Sequence, residues 1–496
     1  MAAASVTDIV NAIEAAGVVG AGGAGFPTHV KLSTAVGTVI ANGAECEPLL
    51  EADYAVMALE PARVLAGLEI AMAVTGATRG YVAVKEKRGA VLRVMDDLVK
   101  REKGISVCAL DDVYPIGDEH VLVNEVTGRH VPEGGLPLEA GVVVNNVATL
   151  AAVADAVDGR PVTSRYVTVA GAVARPVTAR FPIGTSVADA IAFAGGPLTE
   201  RYRVILGGPI MGKLAPDTAA VVTKVTGGII VLPVDHPLVR TREADIGVII
   251  RQARAACCQC MSCTETCPRH LLGHRIAPHL IMRAVTMWSA SGPPPDTIAS
   301  AWLCSECAVC ATVGCPSGLS PVRVNQALKQ SMARKGMKNP YHEKDISSHP
   351  LRTARRVPSS RMVTRSGIAS YVTGQGRGLA EAAAEADGKA GARAGVRAGA
   401  GDGTGARDRA GGTGGHSSHT ECVSQVFQPN RVDIPLLQHA GAPAVPCVRI
   451  GDEVREGQPI AEIPPGKLGA RIHASISGRV TGIGDAITIE AGRRGR

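Results

Sequence analysis

"GVVGAGGAGFPTHVKL", residues 17–32, sets five glycines and a Phe-Pro step just ahead of a lysine. Residues 20–25 fit G-x-G-x-x-G, and Glu45 stands twenty residues beyond Gly25, as a ribose-binding acid in a dinucleotide fold would. An ordinary Rossmann fingerprint follows a strand. Here the preceding residues place Val6, Ile9, Val10 and Ile13 at helical spacing, with Ser5 or Thr7 as a cap, and Pro27 follows within two residues of Gly25. The stretch is therefore read as a loop of bare backbone whose N–H groups, with Lys31 nearby, suit a phosphate or a flat ring.

Outward from this loop, residues 1–160 alternate helical patterns with short apolar runs such as "YVAVKE" (81–86) and "GVVVNNV" (141–147), which predicts an α/β layer. Residues 161–238 change to short β segments broken by "GGP" and "GG". Residues 239–335 hold clustered cysteines with helical segments between them, and 336–420 read as a linker. Within it, residues 381–420 contain only one apolar side chain larger than alanine, Val396, so buried surface cannot offset the entropy of ordering and disorder is expected. Residues 421–496 return to short strands with glycine turns, as in "VRIGDEVREGQPIAEI". The 496 residues, 46% hydrophobic, suffice for three or four cores, and the fold class is α/β multidomain.

The net charge of +7 is spread along the chain and partly sits in the Gly/Ala/Arg stretch, so no nucleic-acid partner is expected. No apolar run of about 18 residues occurs, and the N-terminus lacks the basic start and apolar core of a secretion signal. These features predict no integral membrane span and a cytoplasmic location.

Eight of the 13 cysteines fall into two spaced motifs. "CCQCMSCTETCP" sets Cys257, Cys260, Cys263 and Cys267 at C-x2-C-x2-C-x3-C before a proline, and "CSECAVCATVGCP" repeats the pattern with Cys304, Cys307, Cys310 and Cys315. Three close thiolates wrap three corners of a cubane, and in two-cluster ferredoxins each fourth cysteine serves the other cluster. Cys257, Cys260, Cys263 and Cys315 would then hold one [4Fe-4S] cluster, and Cys304, Cys307, Cys310 and Cys267 the other. The second motif has one residue more before its last cysteine, which weakens the assignment of Cys315; zinc is the alternative metal. Cys258 reads as a spectator thiol or a substitute ligand. Cys46, Cys108, Cys422 and Cys447 read as small buried hydrophobes.

"GAGGAGFPTHVK", "NGAECEPLLEAD" (42–53), "YPIGDEHVL" (114–122) and "VVNNVATL" (143–150) occur in the same order in proteins that resemble the NADH-binding flavoprotein subunit of respiratory complex I. "VILGGPIMG" (204–212) and the cysteine pair bring the chain closer to the C subunit of the Rnf electron-transport complex. With its β module at the C-terminal end, it most resembles the cobalamin reductases of propanediol-utilisation microcompartments. The resemblance implies a Rossmann-like flavin and NADH domain, an SLBB-type β-grasp domain, a helical ferredoxin-like domain with two clusters and a C-terminal barrel-sandwich hybrid. It implies that Gly20, Gly22, Gly23, Gly25 and Lys31 cradle FMN, joined by Asn42, Glu45, Tyr114, Gly117, Asn145 and Asn146. Phe26 would face the adenine of NADH, with Glu47 and Glu119 on nicotinamide or ribose hydroxyls. Two departures stand out: Ala148 replaces a glutamate of the complex I pattern, and Leu32 stands near a second aromatic of it. The "GGPIMG" stretch would form a tight turn, and Lys467, near lipoyl-lysine spacing but without an acidic lead-in, would stay unmodified.

Such a chain converts two-electron chemistry into single-electron chemistry: NADH reduces FMN, FMN reduces the clusters, and these reduce an acceptor. No protein acid or base is assigned a catalytic role. By resemblance the acceptor is a corrinoid cobalt, with an adenosyltransferase as partner and microcompartment shell proteins as further candidates, and the location extends to the microcompartment interior. A D-x-H-x-x-G site for B12 is not found, since Asp118 and His120 lack the glycine; His270, His274 and His279 are conceivable cobalt ligands or surface groups. The competing readings are an Rnf-like subunit feeding a protein or membrane acceptor, and a scaffold with structural clusters and an empty glycine loop.

Overall fold

The computed structural model describes residues 5–287, 295–372 and 421–492. The stretch expected to be disordered, 381–420, lies outside them.

Ser5 starts the first helix, Val6–Ala15: its hydroxyl accepts from the Asp8 N–H, and the Asp8 carboxylate accepts from the Ser5 N–H. Ile13 is its buried anchor. The glycine loop follows and doubles back, with the Gly20 N–H donating to the Phe26 carbonyl at 2.9 Å. Only then comes the first strand, Thr38–Gly43. The loop thus precedes the sheet, and the usual strand-to-helix fingerprint is absent, as the flanking residues predict.

That strand sits inside a fully parallel sheet ordered Ile105–Leu110, Arg79–Lys85, Thr38–Gly43, Val142–Asn146. Its β-branched runs are buried on both faces, as a parallel sheet requires. Helices Pro61–Thr75 and Val147–Val157 pack so closely that a Cβ on Gly67 would fall 1.9 Å from the Leu150 carbonyl oxygen. The register sets Asn42 beside Asn146 and Ala41 beside Asn145, bringing amides together at the carboxyl ends of the strands, where open α/β sheets bind ligands.

The second sheet has six strands, ordered Glu421–Val426, Val177–Pro182, Ser164–Gly171, Gly228–Pro233, Tyr202–Leu206, Lys213–Leu214. Its outermost strand therefore arrives from far along the chain, and Glu421–Val426 extends this sheet before the last domain begins. Phe427 fixes the joint by packing against Phe181 and Phe193 at ring-centroid distances of 5.5 and 5.4 Å. Helices Ile246–Ala256, Pro278–Met287 and Pro321–Arg334 surround the cysteine loops. Part of the expected linker is also ordered: Val357–Pro358 pairs with Val113–Tyr114, and the buried Lys85 ammonium donates to the Ser359 hydroxyl at 3.1 Å. The C-terminal domain is built of a four-stranded and a three-stranded antiparallel sheet. No helix among the described residues is long and apolar enough to cross a membrane.

The C-terminal domain closes on both ends of the glycine loop. A Cβ on Gly17 would lie 2.3 Å from the Arg471 carbonyl oxygen, and one on Gly25 would lie 3.0 Å from that of Gln438. The buried Lys224 amine donates to the carbonyls of Gly17 and Arg471, both at 2.6 Å, joining three domains in one contact. Burial pushes its pKa down to about 7. An unfolded lysine titrates near 10.4. Between these values the unfolded chain binds the extra proton, so stability rises with pH. We expect the apparent Tm at fixed scan rate to gain more between pH 7 and 9 in the natural protein than in Lys224→Met; equal gains would show that Lys224 does not set this dependence.

Candidate functional site

Three amides form the floor at the carboxyl end of the parallel sheet. Asn42 Nδ2 donates to the Gly117 carbonyl at 3.0 Å while its Oδ1 accepts from the Ala44 N–H. Asn146 donates to Asp53 at 2.7 Å and caps helix Val147–Val157 by accepting from the Ala148 N–H. Asn145, the preceding strand residue, is buried, and its Nδ2 has no partner. Lys31 Nζ donates to the Val144 carbonyl and pairs with Glu119 at 3.3 Å. Phe26, 40% exposed, stands on the rim.

The glycine loop is held over this floor. Its Ala21 N–H donates to Thr149 Oγ1 at 2.9 Å, and Arg165 donates to the Ala21 carbonyl. The five glycines divide by use: Gly17 and Gly25 admit neighbouring domains, Gly20 faces the Phe26 backbone with room for a Cβ at 3.7 Å, Gly22 clears the Asn146 amide, and a Cβ on Gly23 would meet nothing within 4 Å. Gly117 approaches from the opposite side, its N–H donating to Cys46 Sγ at 2.8 Å. An open stretch of backbone, a buried unpaired amide donor and a lysine on one cleft fit the phosphate and ring of a flavin nucleotide. Leu32 is fully buried, which explains why no second aromatic stands there.

Buried carboxylates crowd the same place. Burial, reinforced by the charge of Asp53, pushes Glu45 well up, and burial raises Asp53 to about 6 against the pull of Asn146 and Arg165. Glu47 departs from the expected nucleotide contact. Its Oε2 accepts from the Ile210 N–H at 2.8 Å, and its Oε1 accepts from the Met211 N–H at 3.0 Å and the Tyr114 hydroxyl at 3.2 Å. Both oxygens are engaged by the protein itself, and burial pushes the group up to about 7. Tyr114, expected on the flavin, also turns its hydroxyl to the Cys307 carbonyl at 2.9 Å.

The partner of Glu47 is the "GGPIMG" stretch, which does form a tight turn: the Gly212 N–H donates to the Gly208 carbonyl at 2.8 Å. Arg242, which sequence reasoning missed, grips the other side by donating to the carbonyls of Pro209, Ile210 and Gly212. Only the turn's density of glycine and proline hinted at such a clamp. A Cβ on Gly208 would lie 2.0 Å from Glu47 Oε2. Gly208→Ala should cost about 1–3 kcal/mol, as overpacking does, and lower the urea midpoint. Gly23→Ala, the same change in open space, should leave it unmoved; equal shifts would contradict the clamp.

The two cysteine loops repeat one backbone design. Gln259 and Met261 in the first, and Glu306 and Ala308 in the second, occupy matching positions and all have φ between 55° and 66°. Non-glycine residues adopt this left-handed region only where the surroundings enforce it. The thiols lie close to one another: burial pushes Cys263 up to about 12, helped by Cys315, Cys260 and Cys257, and burial raises Cys310, helped by Cys304, Cys307, Cys267 and Cys263. Gly314 belongs to the longer spacing before Cys315, and a Cβ there would lie 3.0 and 3.1 Å from the Cα atoms of Cys263 and Cys310. The added residue thus lets the two loops touch. Two sets of four thiols, with no disulfide among them, fit two four-iron clusters.

Asp118 caps helix Glu119–Thr127 and pairs with Arg269 at 2.9 Å, so the D-x-H stretch is structural. His274 is buried against His120, His270 lies 6.0 Å from the His349 ring, and His279 meets the Thr264 hydroxyl at 2.7 Å. Cys258 is exposed and its side chain hydrogen-bonds the Cys260 thiol, and Cys447, expected to be buried, is exposed as well.

Residues 13–155 match the Nuo51 FMN-binding domain, 166–214 the SLBB domain, 256–320 the 4Fe-4S dicluster domain and 412–493 the RnfC barrel sandwich hybrid domain. The chain is 40% identical to the cobalamin reductase PduS of Salmonella typhimurium, over 98% of this chain and 97% of that one. It is 38% identical to the cobalamin reductase PduS of Citrobacter freundii, over 97% and 96% of the two chains. The C subunit of the proton-translocating ferredoxin:NAD(+) oxidoreductase complex of Clostridium ljungdahlii is 37% identical, over 54% of this chain and 57% of that one. Among solved structures, an NAD+-reducing [NiFe]-hydrogenase in its H2-reduced state is 22% identical, with a TM-score of 0.44, covering 69% of this chain and 64% of that chain. The chain is an oxidoreductase built for flavin and iron–sulfur electron transfer, and it belongs to the family of the cobalamin reductases PduS.

Proposed function

We propose that this chain oxidises NADH at a flavin in the amide-floored cleft, moves the electrons through two [4Fe-4S] clusters, and reduces a corrinoid cobalt from Co(III) towards Co(I). A bound flavin accepts a hydride and releases electrons singly, as clusters carry them. The single observation that carries the reading is the Tyr114 hydroxyl, which touches both Glu47 in the cleft and the Cys307 carbonyl in a cluster loop.

The chain's own residues bind and orient. Gly20, Gly22 and Gly23 offer bare backbone to the flavin nucleotide, with Lys31 supplying the positive charge and Asn145 Nδ2 a buried donor. Asn42, Asn146 and Gly117 fix the floor. Phe26 lies on the rim where an adenine would stack, and Glu119, paired with Lys31, would meet ribose hydroxyls. Cys257, Cys260, Cys263 and Cys315 hold one cluster, and Cys267, Cys304, Cys307 and Cys310 the other. A corrinoid-reducing chain fits a cytoplasmic or microcompartment setting, with an adenosyltransferase to take the reduced cobalt and shell proteins as neighbours.

The test is anaerobic purification, determination of FMN and iron, and addition of NADH with cob(III)alamin under a spectrophotometer. Bound FMN, about eight irons as two cubanes require, and NADH-dependent cobalamin reduction are expected. Bleached flavin and clusters with cobalamin untouched would overturn the corrinoid assignment and point to a protein acceptor, as for an Rnf-like subunit. Asn145→Ala should weaken FMN binding about tenfold, the worth of one buried hydrogen bond, in a fluorescence titration; unchanged affinity would remove Asn145 from the flavin site.

A further inference from the structure

The two thiol sets are not placed alike. Cys267, Cys307 and Cys310 are buried and Cys304 is half-buried. Cys307 shares one apolar cluster with Tyr114, Cys46, Ile210 and Val309, so its loop is packed directly against the cleft and the "GGPIMG" turn. The other set opens outward. Cys315 is buried, but Cys260 is exposed, Cys257 and Cys263 are half-buried, and Met261 beside Cys260 is 45% exposed. A small depression at this loop is lined by Cys257, Cys260, Met261, His279, Met282 and Pro316. Gly314 brings the loops of the two sets into contact through Cys263 and Cys310.

We infer that electrons cross the molecule in a fixed order. The set of Cys267, Cys304, Cys307 and Cys310 receives them from the cleft, and the set of Cys257, Cys260, Cys263 and Cys315 delivers them at the surface around Met261, where the acceptor is reduced. The inference rests on the proposed function. Burial separates the roles: the inner loop touches the cleft and is shielded from solvent, whereas the outer loop is the one a visiting molecule can reach. The balance closes with no further reagent: one NADH gives up a hydride and leaves as NAD+, one proton is released, and two Co(III) centres each take one electron to become Co(II). Tyr114 is a positioning residue in this order, holding the Cys307 peptide against the cleft.

Cys260→Ala and Cys307→Ala test the order in the full chain, by iron analysis and by the paramagnetic signals of the reduced clusters. Each should keep about four irons. In Cys260→Ala, NADH should still reduce the remaining cluster, while cob(III)alamin reduction falls at least tenfold. In Cys307→Ala, NADH should bleach the flavin and leave the remaining cluster oxidised, although dithionite reduces it. The reverse pattern would overturn the order. Tyr114→Phe keeps all eight thiols, so it guards against a variant that loses its fold. It should retain about eight irons and, once the flavin is reduced, pass electrons to the clusters severalfold more slowly; an unchanged rate would remove Tyr114 from the route. Flavin bleaching in the unaltered protein judges the proposed function by itself. Should NADH fail there, illuminating the flavin with a sacrificial amine donor supplies the electrons, and the same two variants still decide the order.

Discussion

The structure depends on one half-buried carboxylate. Glu47 accepts from two backbone N–H groups of the "GGPIMG" turn and from the Tyr114 hydroxyl, which in turn reaches the Cys307 carbonyl. Three domains meet in that chain of hydrogen bonds: the parallel-sheet domain, the β-grasp domain and the cluster domain. A carboxylate taken out of water needs its acceptor capacity filled, and here the filling comes from elements far apart in sequence. Arg242 completes the clamp by saturating the carbonyls on the other side of the turn. The β-grasp domain therefore acts as a wedge that holds cleft and clusters at a fixed separation.

A second constraint runs through the glycine loop. Its ends are pinned by the C-terminal domain, through Lys224 at Gly17 and through the Ala440 N–H, which donates to the Gly25 carbonyl at 3.1 Å. Its middle is left as open backbone beside Asn146 and Lys31. A loop fixed at both ends and bare between them is preorganised for a ligand without depending on it. The buried acids Glu45 and Asp53 make the cleft electrostatically demanding, and Arg165 supplies the compensating charge from the second domain. Strongly shifted carboxylates gathered in a cleft mark a working site more often than a structural one.

Much of this was legible in the residues. The cysteine spacing pointed to iron and sulfur, in line with the match of residues 256–320 to the 4Fe-4S dicluster domain, because thiol spacing around a cubane is local. The apolar runs predicted an α/β layer, and the flanking helix and Pro27 spoke against a strand-to-helix fingerprint. What the sequence did not disclose is long-range. Nothing near Glu47 announces that residues 208–211 will claim its oxygens. The strand Glu421–Val426 joins a sheet more than 240 residues upstream, and no local pattern says which sheet a short strand will extend. The segment read as a linker contains Ser359, whose partner Lys85 lies 274 residues away. Gly25 looked like a ligand contact because packing glycines and binding glycines have the same letter; only the neighbouring domain, against which a Cβ would fall, distinguishes them.

The central claim is that cleft and clusters form a single electron path. Mixing the anaerobic, fully loaded protein with one equivalent of NADH, freezing it within a single turnover and recording the paramagnetic signals tests this most directly. The account predicts a reduced cluster signal that follows flavin bleaching without any acceptor present. A fully reduced flavin beside clusters that stay silent, yet respond to dithionite, would contradict it.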